Sequence, residues 1–426
     1  MTLLEDAGSG PAARNPTAPL RRNRDFLLLW SGASMSFLAN RVTAVAYPLI
    51  VLWHTGSPLA MSVVSTAALL PLLLVQLPAG ALVDRWDRRR LMLVCETGRV
   101  LAVGSVALAL AAGRTTVAHL AAVAFVEASL AVFYRLAERG AVRNIVHPAH
   151  LSTAFAQNEA RGRAAGLLGQ PGGVLLQSAG RWVPFGFGAL GYLVSAVSLL
   201  LIRRDFQQER TDAGSRRRMA GEVAEGMRWL WRQRFLRAAF GYVAGTNVLF
   251  QMLALALILR IKEAGMPSAT LAIVLGIGGV GGLCGALVGG RIQRRTRQRT
   301  LLIGGAVVWA VLIGAMGFTR EPVLLGALYA GTGFVGAVFN VAAAVYQVRT
   351  TPDALQGRVA ATAGLIGSGT NALGSFGGGL LLATWGALPT VRAIAAAMAV
   401  LALLAAVVPD LKGEIPDDGT DTDTAG

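Results

Sequence analysis

Charged side chains inside long apolar runs carry most of the chemical information in this chain. A charge in hydrocarbon is costly, and it is retained for function or held by a partner. The ones that weigh most are Arg41, Glu96, Arg99, Glu127, Glu159, Arg161 and Arg163. Arg41 follows Asn40 near the middle of the first run, and Glu127 lies at a comparable depth in the fourth. A carboxylate that alternates between apolar surroundings and a nearby cation is driven to load and then release a proton. Glu127 is therefore the first candidate for proton coupling, with Arg41 as its partner and Glu159 as the second carboxylate. The competing reading is a permanent Arg41–Glu127 salt bridge that only holds the helices together. Glu96 and Arg99, one turn apart, suit a structural pair. One of Arg161 and Arg163 is expected to snorkel or to bind the segment bearing Glu138.

The second half of the chain has no carboxylate in any apolar run. Its candidates are Asn247 and Gln251, four apart and so on one helix face, with Asn340, Tyr346 and Asn371. Together with Asn40, Tyr47, Trp53 and Phe250 they describe a cavity with one cationic-to-neutral wall and one apolar-polar wall. Such a lining suits a large amphipathic molecule better than a sugar, which needs dense hydrogen-bonding groups. No metal or cofactor is expected. His147 and His150 have neither a carboxylate nor a cysteine beside them, and Cys95 and Cys284 are isolated thiols in apolar runs. No Gly-Lys-Ser/Thr follows any glycine run, so no phosphate loop draws on ATP. Without a hydrolytic or redox set, the chain does not read as an enzyme.

These residues need membrane-spanning helices to position them. Of 426 residues, 54% are hydrophobic and 15% charged, against about a quarter charged in soluble domains. The net charge of +16 comes without any nucleic-acid-binding motif, and arginine-rich cytoplasmic loops facing anionic lipid account for it. Twelve runs long enough to cross hydrocarbon are read at 26–53, 59–83, 91–112, 116–138, 153–180, 183–202, 236–259, 268–290, 301–318, 322–347, 359–384 and 389–408. They are helices, because backbone polar groups in lipid must be satisfied internally and these runs are too apolar for barrel strands. Only six of the 39 basic residues (Arg114, Arg181, Arg260, Lys262, Arg320, Arg392) fall in the connections opposite the arginine-rich ones. That asymmetry puts both termini in the cytoplasm.

The organisation follows: a cytoplasmic tail at 1–25, a six-helix bundle at 26–202, a linker at 203–235, a second bundle at 236–408 and an acidic tail at 409–426. In the linker, Met219, Val223, Met227, Leu230 and Trp231 recur at helical spacing opposite Arg228 and Arg232, the pattern of a helix lying on the inner leaflet. Gly80-Ala81-Leu82-Val83 recurs as Gly285-Ala286-Leu287-Val288, and Pro148-Ala149-His150-Leu151 as Pro352-Asp353-Ala354-Leu355. Two matches at nearly one offset imply duplicated bundles.

After the second run comes Gly80-x-x-x-Asp84-Arg85-Trp86-Asp87-Arg88-Arg89-Arg90. This resembles the loop signature of the major facilitator superfamily, in a form similar to its enterobactin-exporter and macrolide-efflux branch. Thr55-Gly56-Ser57-Pro58, Glu225-Gly226-Met227-Arg228 and Gln356-Gly357-Arg358-Val359 carry the same resemblance, which covers roughly residues 20–408. It implies two bundles rocking around a midplane cavity lined by helices one, four, seven and ten. In the loop, Gly80 permits close helix approach, and Asp84 is suited to pair with Arg88 or to cap a helix of the other half. Gly80, Asp84, Arg85, Arg88 and Arg89 then form a latch that holds the inner side closed; the alternative is a solvated topogenic loop. Gly289 and Gly290 replace Asp84 and Arg85 in the second half, so the latch is asymmetric.

Gly166-x-x-Gly169-Gln170-Pro171-Gly172-Gly173 resembles the antiporter signature of the superfamily, although Gln170 stands where a small residue is usual. Gly169, Pro171, Gly172 and Gly173 form a bendable face on which the fifth helix rocks against the eighth, itself bare at Gly276-x-Gly278-Gly279-x-Gly281-Gly282. The expectation is an all-α membrane protein of the major facilitator fold, a monomer in a bacterial inner (plasma) membrane. It would export an amphipathic small molecule, drug or antibiotic, in exchange for protons. A dedicated siderophore or natural-product exporter is the nearest alternative, and a non-transporting membrane sensor or scaffold the more distant one.

Overall fold

The computed structural model describes residues 20–83, 85–202, 234–296, 298–350 and 356–407, with Phe206, Arg228 and Trp231. Asp84 of the latch, most of the linker with its amphipathic helix, the side chain of Tyr346 and the acidic tail lie outside the described residues. All regular structure among the described residues is helical. The α-helices are α1 (Arg24–Thr55), α2 (Pro58–Leu74), α3 (Gln76–Val83), α4 (Arg88–Ala111), α5 (Val117–Ile145), α6 (Leu151–Ala179) and α7 (Val183–Leu201). They continue as α8 (Arg234–Glu263), α9 (Thr270–Arg295), α10 (Gln298–Met316), α11 (Pro322–Thr350), α12 (Gln356–Trp385) and α13 (Ala387–Val407).

Local chemistry sets several boundaries. The side chains of Asn23, Ser57, Asp87 and Thr116 each accept a hydrogen bond from the backbone N–H three residues on, capping α1, α2, α4 and α5. Gly56, at φ 71, closes α1 in the left-handed region that favours glycine, and Pro58 then opens α2 without wasting an N–H. The second apolar run is broken at Val75, just after Leu74, whose carbonyl lies four residues before the missing N–H of Pro78, so α2 and α3 share one run. The fourth run extends beyond its expected end at 138 to Ile145, which brings Arg139 and Arg143 inside the helix that carries Arg135 and Glu138.

Eight helices, α1, α4, α5, α7, α8, α9, α11 and α13, are long and apolar enough to cross a membrane. The apolar part of α2 and of α10 is shorter. Charge dilutes α6, and glycine, serine and threonine dilute α12. Leu101, Leu108, Leu287, Val311, Phe318 and Leu403 are each more than 60% exposed. An apolar surface of this extent is matched to lipid and not to water.

The helices pack in two groups. In the first, α1 meets α6 and α7, α4 meets α5 and α7, and α2 meets α5. In the second, α8 meets α12 and α13, α10 meets α11 and α13, and α9 meets α11. Each contact in the first group has its counterpart in the second, so the duplicated sequence words have a duplicated packing. The closest approach is between α9 and α11, where a Cβ on Gly281 would lie 2.1 Å from the Ala330 carbonyl oxygen and one on Gly285 2.3 Å from that of Phe334. Only glycine allows backbones so near.

Between the groups, α2 packs on α12, α6 on α9 and, more lightly, α1 on α8. One hydrophobic cluster runs through both groups at the end containing Leu52, Met61, Leu253 and Met398. At the other end each group has its own cluster, around Tyr134 in the first and Tyr242 in the second. Gly162, Gly166 and Gly364 on α6 and α12 face open space. The molecule is thus closed at one end and parted at the arginine-rich end.

Candidate functional site

A cavity of about 600 Å³ lies between the groups, walled by α1, α2, α4, α5 and α6 on one side and by α8, α9, α11 and α12 on the other. Its chemistry centres on Glu127 of α5, which is 2% exposed. Asn40, Thr43 and Tyr47 occupy positions i, i+3 and i+7 of α1 and so share one face. All three donate to the Glu127 carboxylate: Thr43 Oγ1 at 2.7 Å, Tyr47 hydroxyl at 2.6 Å and Asn40 Nδ2 at 3.5 Å. The Tyr192 hydroxyl of α7 donates to the same carboxylate. Arg99 stacks over the Tyr192 ring, 3.7 Å from its centroid, and bonds Ser36 at 2.8 Å.

The expected Arg41–Glu127 salt bridge is not formed. Arg41 lies one position beyond Asn40 and so points off the Asn40–Thr43–Tyr47 face; its stem packs against Gly169 of α6 and its side chain lines the cavity. Hydroxyls and an amide, not a guanidinium, hold the carboxylate. Glu159 is also misplaced by the sequence reading: it is exposed, paired with Arg163 at 3.1 Å, and does not line the cavity.

Two pairs expected from sequence do form. Glu96 and Arg99 lie 3.5 Å apart in full burial, with Ser195 donating to Glu96 at 3.0 Å. Arg161 reaches Glu138 of α5 at 2.8 Å, both side chains at most 6% exposed. Removing one partner of such a pair leaves an uncompensated buried charge. Arg161→Ala is expected to cost about 3–5 kcal/mol of stability. Arg163→Ala, whose ion pair is solvent-exposed, should cost under about 1 kcal/mol. Thermal unfolding in detergent separates the two.

On the second group's wall, Gln251 and Asn371 line the cavity as expected, with Phe250 beside them. Asn247 and Asn340 are not among the described residues that line it. Asn247 turns toward Gly367 of α12, and Asn340 is exposed. Thr43, Tyr192 and Arg135 are site residues that the sequence reading missed, as are the lining residues Gln170 and Tyr329. The i, i+3, i+7 recurrence of Asn40, Thr43 and Tyr47 was a signal for Thr43. Tyr192, a lone phenol in an otherwise apolar α7, was a weaker one.

The basic loop engages its own group. Arg88 packs against Gly140 of α5. Arg89 donates to the Leu199 and Leu200 carbonyls at 3.3 and 3.0 Å, capping the C-terminus of α7. Arg85 continues the turn from Leu82, and Gly80 ends half-buried in α3. The glycine-rich face of α6 is divided. Gly169 and Gly173 let α1 approach, with Val42 O only 2.7 Å from where a Gly173 Cβ would stand, while Gly172 faces open space. Contact with α9 runs instead through Leu167 on Gly279 and Pro171 on Gly276.

Paired helix groups closed at one end around a buried polar cavity, with an apolar outer surface, define a multi-pass membrane transporter. The chain belongs to the major facilitator superfamily: the family described as transmembrane secretion effector matches residues 14–421. The multidrug efflux pump Tap of Mycolicibacterium fortuitum is 29% identical over 405 residues, which cover 91% of this chain and 96% of that pump. YfiS of Bacillus subtilis (strain 168), an uncharacterized MFS-type transporter, is 26% identical over 386 residues, 86% of this chain and 89% of its own. Among solved structures, the nucleoside transporter NupG superposes with a TM-score of 0.72 at 13% identity, over 90% of this chain and 99% of that one. A bacterial homolog of the human lysosomal transporter Spinster, inward-facing and unoccupied, gives 0.66 at 15%, over 91% and 96%. The structural likenesses show the fold alone.

Proposed function

We propose that this transporter is a proton-coupled antiporter that exports amphipathic small molecules, drugs or antibiotics among them, by alternating access. The observation that carries the reading is the Glu127 carboxylate, buried on the cavity wall and held by Tyr47, Thr43, Tyr192 and Asn40. A carboxylate with neutral donors and no guanidinium partner can take up a proton without leaving an orphaned cation behind. The similarity to a multidrug efflux pump supports drugs as cargo.

In this reading the α2–α3 run counts as one span, giving twelve spans in bundles at 26–202 and 236–408 joined by the cytoplasmic linker 203–235. The tails 1–25 and 409–426 are cytoplasmic, and the protein works as a monomer in a bacterial inner membrane. The arginine asymmetry supports this orientation, which makes the parted end the cytoplasmic one and the cavity inward-open. Inward-open, the loop latch would be released, in keeping with Arg88 and Arg89 resting on their own group.

Reconstituted in liposomes, the protein should move the xanthene dyes fluorescein and rhodamine 123 at different rates. At least one flux should rise with an imposed pH gradient and fall to passive leak when nigericin collapses it. Flux that is mediated but indifferent to the gradient removes antiport and leaves facilitated transport.

A further inference from the structure

We infer that the cavity binds its cargo by an anionic group, held between Arg41 of α1 and Arg135 of α5. The inference rests on the transport reading for its biological sense, but it stands on charge placement alone. Four charged side chains among the described residues line the cavity: Arg41, Arg99, Arg135 and Glu127. Arg99 is 1% exposed and already paired with Glu96 and Ser36. Glu127 accepts from four donors, so little of its carboxylate is left to face a cation. Arg41 and Arg135 have no ion-pair or hydrogen-bond partner among the described residues, although the neighbouring Arg161 and Arg163 each have a glutamate. Both line the same cavity, from helices α1 and α5 that touch one another.

Arg41 and Arg135 have no ion pair among the described residues, and Glu138, one turn on from Arg135, is already paired with Arg161; two such guanidinium groups on the wall of one cleft focus a positive potential that a bound anion would relieve. The planar fork of arginine matches carboxylate, phosphate and sulfonate oxygens bidentately. Leu69 and Leu72 of α2, with Phe250 and Ile258 of α8 across the cavity, offer apolar surface. The occupant that satisfies both surfaces is an organic anion with a hydrophobic body. The sequence suggested a cationic-to-neutral wall but attached it to a salt bridge with Glu127, which the structure replaces by hydroxyl donors. That substitution frees Arg41 for a ligand.

The test uses full-length protein in phosphatidylcholine nanodiscs and the dyes fluorescein, an anion, and rhodamine 123, a cation on the same xanthene skeleton. Fluorescence anisotropy should show fluorescein binding at least about tenfold more tightly, a step of ~1.4 kcal/mol. Arg41→Gln and Arg135→Gln should each weaken fluorescein by about tenfold and leave rhodamine 123 unchanged, with Arg41→Lys and Arg135→Lys keeping part of the loss from appearing. The lysine variants also keep the charge that the fold experiences. Equal binding of the two dyes by the wild type overturns the inference, as does unchanged fluorescein affinity in both glutamine variants. Displacement of fluorescein by short-chain phosphatidylglycerol would identify a lipid headgroup as the natural anion, and displacement by naphthalenesulfonate alone a soluble one; either keeps the anion site. Selective fluorescein binding without liposome flux keeps the site and removes the transport reading. Gradient-driven flux of rhodamine 123 but not of fluorescein does the reverse.

Discussion

Glu127→Gln is expected to abolish gradient-driven accumulation while leaving a folded protein that still binds and exchanges its cargo. An antiporter exchanging one proton per cargo molecule across two pH units sustains a concentration ratio of about 100, since each unit is tenfold; the variant should sustain a ratio of about one. Glutamine is isosteric with the carboxylate and keeps one acceptor oxygen; because Thr43 and Tyr47 donate to opposite carboxylate oxygens, at 2.7 and 2.6 Å, one of the two hydroxyls turns to accept from the new amide N–H, and the local packing survives. What it lacks is a group that binds and releases a proton. The readout is a pair of liposome assays on one preparation: net uptake under a pH gradient, and cargo exchange without one. Loss of the first with retention of the second assigns coupling to Glu127. Retention of both removes Glu127 from coupling. The remaining buried carboxylates on this side, Glu96 and Glu138, each lie beside an arginine, so a proton bound there would have to break a pair first.

How much of this site could be read from the sequence depended on which physical rule was at work. Length and apolarity of runs set the helices, because lipid leaves the backbone no other partner. Short-range pairing was equally legible. Glu96 and Arg99 lie one turn apart on α4, and Arg161 had no cheaper way to sit inside α6 than to find Glu138. The repeated words Gly80–Val83 and Gly285–Val288 anticipated the paired contact pattern of the two groups.

Facing direction was not legible. In soluble helices a polar stripe reveals the outward face, but α1 is apolar on most sides and buried over much of its length, so only the short recurrence of Asn40, Thr43 and Tyr47 separated Asn40 from Arg41. One residue of rotation decides which of them meets Glu127. The same ambiguity put Asn247 and Asn340 on the cavity wall. Glycines posed a related problem: those of α6 serve α1, open space and α9 in turn, and composition alone does not apportion them. Arg89 looked like part of a latch because its loop resembles the superfamily signature. Its use as a cap for α7 depends on where that helix ends in space.

The closed end offers the second large expected effect. Gly379→Leu should open it. A Cβ on Gly379 of α12 would stand 1.9 Å from both Cβ and Oγ of Ser62 on α2, and 3.3 Å from the Pro58 carbonyl oxygen. Neither rotamer change nor a small side-chain shift relieves a clash with a residue that is itself fully buried and tied to Leu59 O at 2.8 Å. Because α2 and α12 belong to different groups, the strain falls on the contact that holds the groups together at this end, not on either group's interior. Overpacking costs typically ~1–3 kcal/mol, and applied to one of two conformations that shifts their ratio by about 5- to 150-fold toward the one parted here. Spin labels at Leu59 and Leu380, both exposed on α2 and α12, report the separation once the exposed Cys284 is replaced. The distance distribution should lengthen in Gly379→Leu and stay unchanged in Gly172→Leu, whose Cβ would meet open space. Transport should fall with it, since a carrier held open on one side cannot complete its cycle. An unaltered distance in a folded Gly379→Leu would mean that the Ser62–Gly379 contact does not control this end, and the rocking of the groups would need another fulcrum.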